Sequence, residues 1–256
     1  MNKLNAITQW RPANILSATI EPKPFCLIVL NQPLTKLDTF RQLWNNASFK
    51  FVADGGSNRL YDAFQDDVKS LEKYLPDEIR GDLDSIRPEV QDYYTSKNVT
   101  ITKVDDQNST DFMKCMDLLK EKEKEVNQMV SLFDVVAMPA LGGRFDQTIA
   151  SINMLYFMKD QVERKVILVS DENLTVLLDK GSHHIHCLRD LEGPTCGVMP
   201  IGSPATITTK GLKWNLENHK CFFGGMVSTS NVIDSDLIEI ETDAPLVWTT
   251  EIKDSK

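Results

Sequence analysis

The 256 residues are 41% hydrophobic and 25% charged, with 28 Lys+Arg against 37 Asp+Glu and a formal net charge of −9. A chain of this length buries one large core or two ordinary ones without disulfide staples. Its acidic balance argues against a general nucleic-acid footprint or an anionic membrane surface, both of which need clustered positive charge, so an anionic ligand requires a site carrying its own counter-charge, an Arg or a metal.

Taken in order, residues 1–20 are polar, include Pro12, lack the apolar core of a signal peptide and read as a loose lead-in. Phe25–Leu30, the longest apolar run, spans six residues. A membrane-spanning helix needs ~20, so this run reads as a buried strand. Leu37, Phe40, Leu43 and Trp44 follow helix spacing, Phe49–Ala53 is strand-like, and Ser57–Phe64 is helical. Pro88–Ser96 forms a further helix, with Pro88 suited to its first turn. Val99–Thr102 is a short strand. Phe112, Cys115, Met116 and Leu119 share one helical face, and the run Lys120–Glu125 of alternating sign ends that helix on a solvated face. Leu132–Met138 is strand-like, and Phe145, Ile149, Ile152 and Leu155 mark one more helix. Strands interleaved with helices predict a parallel sheet covered on both sides.

From about residue 163 the helical pattern fades. Val166–Val169 and Leu174–Leu178 flank a polar turn in the manner of a hairpin. His183–Leu188, Ala205–Thr209, Met226–Thr229 and Leu237–Thr242 follow at near-regular spacing, which suggests an antiparallel sandwich or barrel. The fold class expected is therefore α/β: an N-terminal parallel-sheet domain over 21–162, then a C-terminal antiparallel β-sandwich domain over 163–256, ending in a frayed 251–256. The five cysteines, Cys26, Cys115, Cys187, Cys196 and Cys221, contain no CxxC; an odd, scattered set points to reduced thiols and to the cytoplasm rather than secretion.

The sequence contains no GxxxxGK[ST], GxGxxG or HExxH, so a nucleotide would have to be held by another design. Four turns at predicted strand ends carry chemistry. Asp54-Gly55-Gly56-Ser57-Asn58 follows a strand, where paired glycines admit a ligand or simply turn the chain into a helix with Ser57 as N-cap. Gly81-Asp82-Leu83-Asp84-Ser85 sets two carboxylates on one side of an extended segment, suited to a hard divalent cation or to a solvated acidic turn. Asp106-Gln107-Asn108-Ser109-Thr110-Asp111 opens a helix: Ser109 or Thr110 suits the N-cap, and Asp111 either favours the helix dipole or adds a third carboxylate. Gly142-Gly143-Arg144-Phe145-Asp146 joins a glycine pair to a helix start and an arginine, a natural phosphate seat. Loops after the strands of one parallel sheet share an edge, so the four turns are expected to converge.

In the β half, Trp214 is suited either to stacking on a flat or cationic ligand or to core packing. His183, His184, His186 and Cys187 favour a polar strand over a metal site, which would want four well-spaced ligands.

Taken together, Leu30-Asn31-Gln32-Pro33, Ala53-Asp54-Gly55-Gly56, the run from Gly81 to Val90, Ser109-Thr110-Asp111-Phe112, Leu141–Gln147, Gly211–Leu216, Val227–Asn231 and Glu241-Thr242-Asp243 resemble the eukaryotic thiamine pyrophosphokinases over about residues 25–250. Leu83 departs mildly, standing where members often have Phe. The resemblance implies transfer of pyrophosphate from ATP to the hydroxyl of thiamine with release of AMP, and a homodimer whose active sites lie between subunits. On that basis Asp82, Asp84 and Asp111 are expected to hold Mg²⁺ and the triphosphate, with Asp111 or Asp84 taking or orienting the hydroxyl proton, and Arg144 to neutralise phosphate charge. Gln32, Asp54, Gly55, Gly56, Asn58, Gln107, Thr110, Gly143 and Asp146 are expected around the nucleotide. Trp214, Ser230 and Asn231 of the neighbouring subunit are expected to seat thiamine. Two other readings stay open: another phosphoryl or nucleotidyl transferase on this scaffold, and a non-catalytic thiamine or nucleotide sensor.

Overall fold

A computed structural model describes residues 6–126, 133–159 and 164–253. The chain begins with a short strand, β1 (Thr8–Trp10), and a 3₁₀ turn, Pro12–Leu16. β1 runs parallel to the later strand Gly181–His186, and Ala13, Ile15 and Leu16 are buried. The described part of the expected loose lead-in is thus built into the β half. Its small apolar side chains found a core that lies far away in sequence.

Pro22–Asp171 make up one unit. Its elements are β2 (Phe25–Val29), α1 (Leu37–Asn46), β3 (Phe49–Ala53), α2 (Gly56–Phe64), α3 (Val68–Lys73), β4 (Glu78–Gly81), α4 (Pro88–Ser96), β5 (Thr100–Lys103), α5 (Asp111–Val126), β6 (Asp134–Met138), α6 (Phe145–Met158) and β7 (Val166–Val169). The sheet order is β7-β6-β2-β3-β4-β5, parallel throughout. β2 and β6 are buried at every position, as a parallel sheet covered by crossover helices requires. The helices bury aromatic stripes. Phe40 and Trp44 of α1 meet Phe64 and Tyr74 with ring centroids 5.4–5.7 Å apart, and Phe64 lies 4.5 Å from Tyr74.

β4 and α3 have no counterpart in the sequence reading, and three further features differ from it. Position 132 of the expected strand Leu132–Met138 lies outside the described residues, and the strand begins at Asp134. β7 is a parallel partner of β6, so the unit runs to Asp171, where the sequence reading ends it at 162. In α6 the buried residues are Ser151, Met154, Leu155 and Met158, whereas Phe145 and Ile149 face outward.

The second unit joins the residues up to Glu21 with those from Glu172 onward. It contains β8 (Asn173–Leu178), β9 (Gly181–His186), β10 (Glu192–Met199), β11 (Ala205–Lys210), β12 (His219–Cys221), β13 (Ser228–Val232), β14 (Leu237–Thr242) and β15 (Leu246–Ile252). One group is ordered β13-β10-β15-β8 and the other β1-β9-β14-β11-β12; every pairing but that of β1 is antiparallel. Burial alternates along β9, β11 and the first half of β14, as in a sandwich with one inward face per sheet. Glu251 and Ile252 belong to β15 rather than to a frayed end. Among the described residues, no helix is long and apolar enough to cross a membrane. All five cysteines are free and buried.

Candidate active site

Ligands of an open parallel sheet gather beyond the carboxyl ends of its strands, where the strand order reverses. Here the chain runs outward from β2 through β3 and β4 to β5, then returns to β6 on the other side of β2. The loops after β2 and β6 therefore diverge, and a cavity of about 440 Å³ opens between them, lined by Gln32, Arg59, Thr110, Asp111, Gly143 and Arg144 among others.

Beside it, carboxylate oxygens of Asp54, Asp82 and Asp111 all lie within 4.8 Å of one another. Each comes from a different turn. Asp54 ends β3 at a positive φ of 36°, a conformation Asp tolerates because its short polar side chain bonds locally. Its Oδ2 accepts from the Ser85 amide at 3.1 Å, while Oδ1 is buried with no hydrogen-bond partner. Asp82 follows Gly81 at the end of β4. A Cβ on Gly81 would fall 2.5 Å from the Asp54 Cβ and 3.2 Å from Asp111 Oδ1, so glycine is what lets the acids approach. Asp111 is the first residue of α5; Thr110 Oγ1 caps that helix by accepting from the Met113 amide at 3.3 Å. Burial first, then the Asp111 charge, raises the pKa of Asp54 against the opposing pull of its Ser85 bond.

The turn carrying Asp82 is braced from α2. Asn58 Nδ2 donates to the Ser85 carbonyl at 2.7 Å, and its Oδ1 accepts from the Arg87 amide at 3.0 Å. Arg87 forks onto Asp62 at 2.5 and 3.2 Å. Asn58 therefore spends its amide on loop geometry. Leu83 sits at φ 64°, which turns Asp84 outward, exposed and outside the carboxylate cluster; its amide donates to Asp82 Oδ1 at 3.1 Å. The glycine pair packs closely: a Cβ on Gly55 would lie 2.3 Å from Asn31 Nδ2, and one on Gly56 2.6 Å from the Val29 carbonyl. Ser57 does not cap α2. Its hydroxyl donates back to the Asp54 carbonyl at 2.6 Å.

On the β6 side, Gly142 and Gly143 adopt φ of 103° and 62°. Arg144 is exposed and forks onto Asp146 at 2.5 and 3.1 Å. That pairing raises the arginine and lowers the carboxyl from their ordinary values. Gln107 is exposed in the loop ahead of α5.

Two site residues escaped the sequence reading. Arg59 lines the cavity, and its Nε donates to Asn31 Oδ1 at 3.0 Å. Lys114 is buried, with Nζ 3.1 Å from Asp111 Oδ1 and 3.8 Å from Asp82 Oδ2. A lysine inside an amphipathic helix reads as solvated; only its spacing of three from Asp111 hinted at a pair.

In the β unit, Trp214 is 55% exposed, so it is not core. Lys213 Nζ stands 4.8 Å from its ring centroid, showing a face open to a cation. Asn231 is buried: its Oδ1 accepts from the Trp214 amide at 3.2 Å, and its Nδ2 donates to the Trp214 carbonyl at 2.9 Å. It braces the tryptophan's turn. Ser230 is exposed at φ 55°. His183 is buried, its Nδ1 accepting from Trp10 Nε1 at 3.1 Å, and His186 Nε2 pairs with Gln9 Oε1 at 2.7 Å.

Residues 40–168 match the family model described as thiamin pyrophosphokinase, catalytic domain, and residues 182–247 match thiamin pyrophosphokinase, vitamin B1 binding domain. Thiamine pyrophosphokinase 1 of Arabidopsis thaliana is 41% identical over 238 residues, covering 90% of this chain and 86% of the relative. The thiamine pyrophosphokinase of Saccharomyces cerevisiae is 32% identical over 273 residues, covering 88% and 85%. Among solved structures, yeast thiamin pyrophosphokinase superposes with a TM-score of 0.85 at 29% identity, covering 98% of this chain and 93% of that one. Thiamin pyrophosphokinase from Candida albicans does so with 0.80 at 28%, covering 96% and 93%.

Proposed function

The chain belongs to the thiamine pyrophosphokinase family and transfers pyrophosphate from ATP to the hydroxyl of thiamine, giving thiamine diphosphate and AMP; from that premise we propose that the carboxylate cluster and the adjoining cavity are where the transfer occurs. The observation that carries this is the meeting of Asp54, Asp82 and Asp111 beside a cavity edged by Arg144. Three carboxylates from three turns form a hard oxygen donor set. The buried Oδ1 of Asp54, with no hydrogen-bond partner of its own, suits an electropositive ligand. Asp54, Asp82 and Asp111 would hold Mg²⁺, which when bound offsets phosphate charge. Asp84, also expected among these ligands, stands outside the cluster; it or Asp111 is proposed to accept the thiamine hydroxyl proton or to orient that hydroxyl.

The remaining groups position the triphosphate. Arg144 exchanges its fork on Asp146 for phosphate oxygens, a planar bidentate match. Gln32, Thr110 and Gly143 line the cavity and border the nucleotide, with Gln107 and Asp146 at its rim. Alignment and charge stabilisation account for most of the catalysis in such transfers.

Thiamine is assigned to Trp214 and Ser230, with Asn231 holding the tryptophan in place. Its cationic ring suits an exposed indole face. We assign these residues to the neighbouring subunit of a homodimer. Supporting this, Phe145 is 77% exposed, and Ile149, Phe157, Phe223 and Met226 are exposed as well, apolar surface of the kind an interface covers. Five buried free thiols favour a reducing compartment, and the cytoplasm is the proposed location.

The test is a product analysis with ATP, thiamine and Mg²⁺. Thiamine diphosphate and AMP are expected; ADP or free pyrophosphate would indicate another transferase. Ligand binding without AMP release would indicate a sensor. Asp82→Asn should abolish AMP formation with an unchanged circular dichroism spectrum, and near-normal turnover would remove Asp82 from the platform.

A further inference from the structure

Lys114 is an unusual lysine. It lies one turn into α5, its side chain is 2% exposed, and its stem does not carry the ammonium out to water as lysines on amphipathic helices usually do. Its Nζ points instead among the carboxylates, 3.1 Å from Asp111 Oδ1 and 3.8 Å from Asp82 Oδ2. Three carboxylates with oxygens within 4.8 Å repel one another, and a buried charge needs a partner.

We propose that Lys114 is the resident counter-ion of this cluster, making it a weak site for a bare divalent cation and a strong one for a cation that arrives on a polyphosphate. The reasoning is electrostatic. A bare cation at Asp82 and Asp111 must settle beside an ammonium that already hydrogen-bonds Asp111 and pairs with Asp82, so like charges oppose its entry. A polyphosphate carries several negative charges into the same space. The ammonium then attracts the incoming complex and offsets the repulsion between phosphates and carboxylates. Lys114 is thus a positioning residue that couples cation binding to nucleotide binding. This inference rests on the reading of Asp54, Asp82 and Asp111 as the cation site.

The experiment titrates Mn²⁺ into the full chain by electron paramagnetic resonance, with and without α,β-methylene ATP, for the parent protein, Lys114→Met and Asp82→Asn. The parent should bind bare Mn²⁺ at least tenfold more weakly than Mn²⁺ with the nucleotide. Lys114→Met should bind bare Mn²⁺ at least tenfold more tightly than the parent and the nucleotide-borne ion more weakly, a reversal that simple loss of packing does not produce. Equal or weaker bare-ion binding in a folded Lys114→Met overturns the counter-ion role. So does a parent that binds bare Mn²⁺ as tightly as the nucleotide-borne ion, a result that stands even if the variant fails to fold. Undiminished nucleotide-dependent Mn²⁺ binding in Asp82→Asn would instead overturn the cation site itself, and this inference with it.

Discussion

Asp54 shows how a single carboxylate carries the tension of the site. Its side chain is almost wholly enclosed, one oxygen has no partner, and two further acids lie within reach. Burial raises its folded-state pKa above the unfolded value. Well below the ordinary carboxylate value of about 4, both states are protonated and the residue costs nothing. As pH rises from that value to the raised folded one, the unfolded chain ionises first and stability is lost, and above both values the penalty is constant. Asp54→Asn should therefore melt at a higher temperature than the parent at neutral pH without added cation, and the gain should vanish in acid. Mg²⁺ with ATP should raise the parent's melting temperature and leave the variant's nearly unchanged. Calorimetry across the pH range checks both, and a variant less stable at neutral pH would contradict the placement of Asp54 in the cluster. Asn also suits the positive φ of this position, so the comparison isolates charge.

Helix α5 is the element on which the site turns. Its first residue is Asp111, Lys114 follows one turn later, and its far end is tied down by a second ion pair: Arg164 Nη2 to Glu123 Oε2 at 2.5 Å, with side chains 1% and 10% exposed. Glu123 belongs to the alternating Lys/Glu run. Its neighbours there form the solvated pairs Lys120–Asp117 and Lys122–Glu125, but Glu123 faces inward and also accepts from the Phe133 amide at 2.9 Å. Breaking a buried pair by removing one charge strands the other, at a cost of about 3–5 kcal/mol. Glu123→Gln should lose that much in urea unfolding, whereas Glu125→Gln should change little. Equal small losses in both would show that the pair is solvated in solution. In α6 the apolar residues Phe145 and Ile149 face outward, while the inward face is made by Ser151, Met154, Leu155 and Met158. A helix apolar on both sides has two faces to cover, and the proposed homodimer would cover the outward one.

For the whole molecule, the proposed sharing of active sites between two subunits leads to a prediction that no single-chain property does. On the proposed assignment, Asp82→Asn would disable the phosphate side and Trp214→Ala would weaken the thiamine side. Alone, Trp214→Ala should raise the KM for thiamine more than that for ATP. Mixed under conditions of subunit exchange, the two impaired proteins should be more active together than the sum of each alone, because a hybrid dimer with shared sites would assemble one intact site. Absence of rescue with exchange demonstrated by mass spectrometry would place each site within one chain.

Much of this was legible in the residues themselves. The alternation of apolar runs with helical spacing is local, and so β2, β3, β6 and the helices α1, α2, α4 and α5 follow from it, whereas the short α3 does not; the acidic and glycine-bearing turns fall at strand ends because that is where such a sheet changes direction. What stayed hidden depends on partners distant along the chain. β4 is four residues long and carries Glu78 and Arg80, which pair with each other and, through Arg80, with Glu121 of α5, so no apolar run announces it. The N-terminal segment looks loose because its strand partner lies more than 170 residues away, as the bond from Trp10 to His183 shows. Lys114 carries the same charge on a surface or in a core, and Asp84 has the same chemistry as Asp82. Periodicity specifies which side of an element is apolar, but the choice of which charge to enclose and which face to leave for another chain is made only when the elements pack, since burial and electrostatic partnership are properties of neighbours in space.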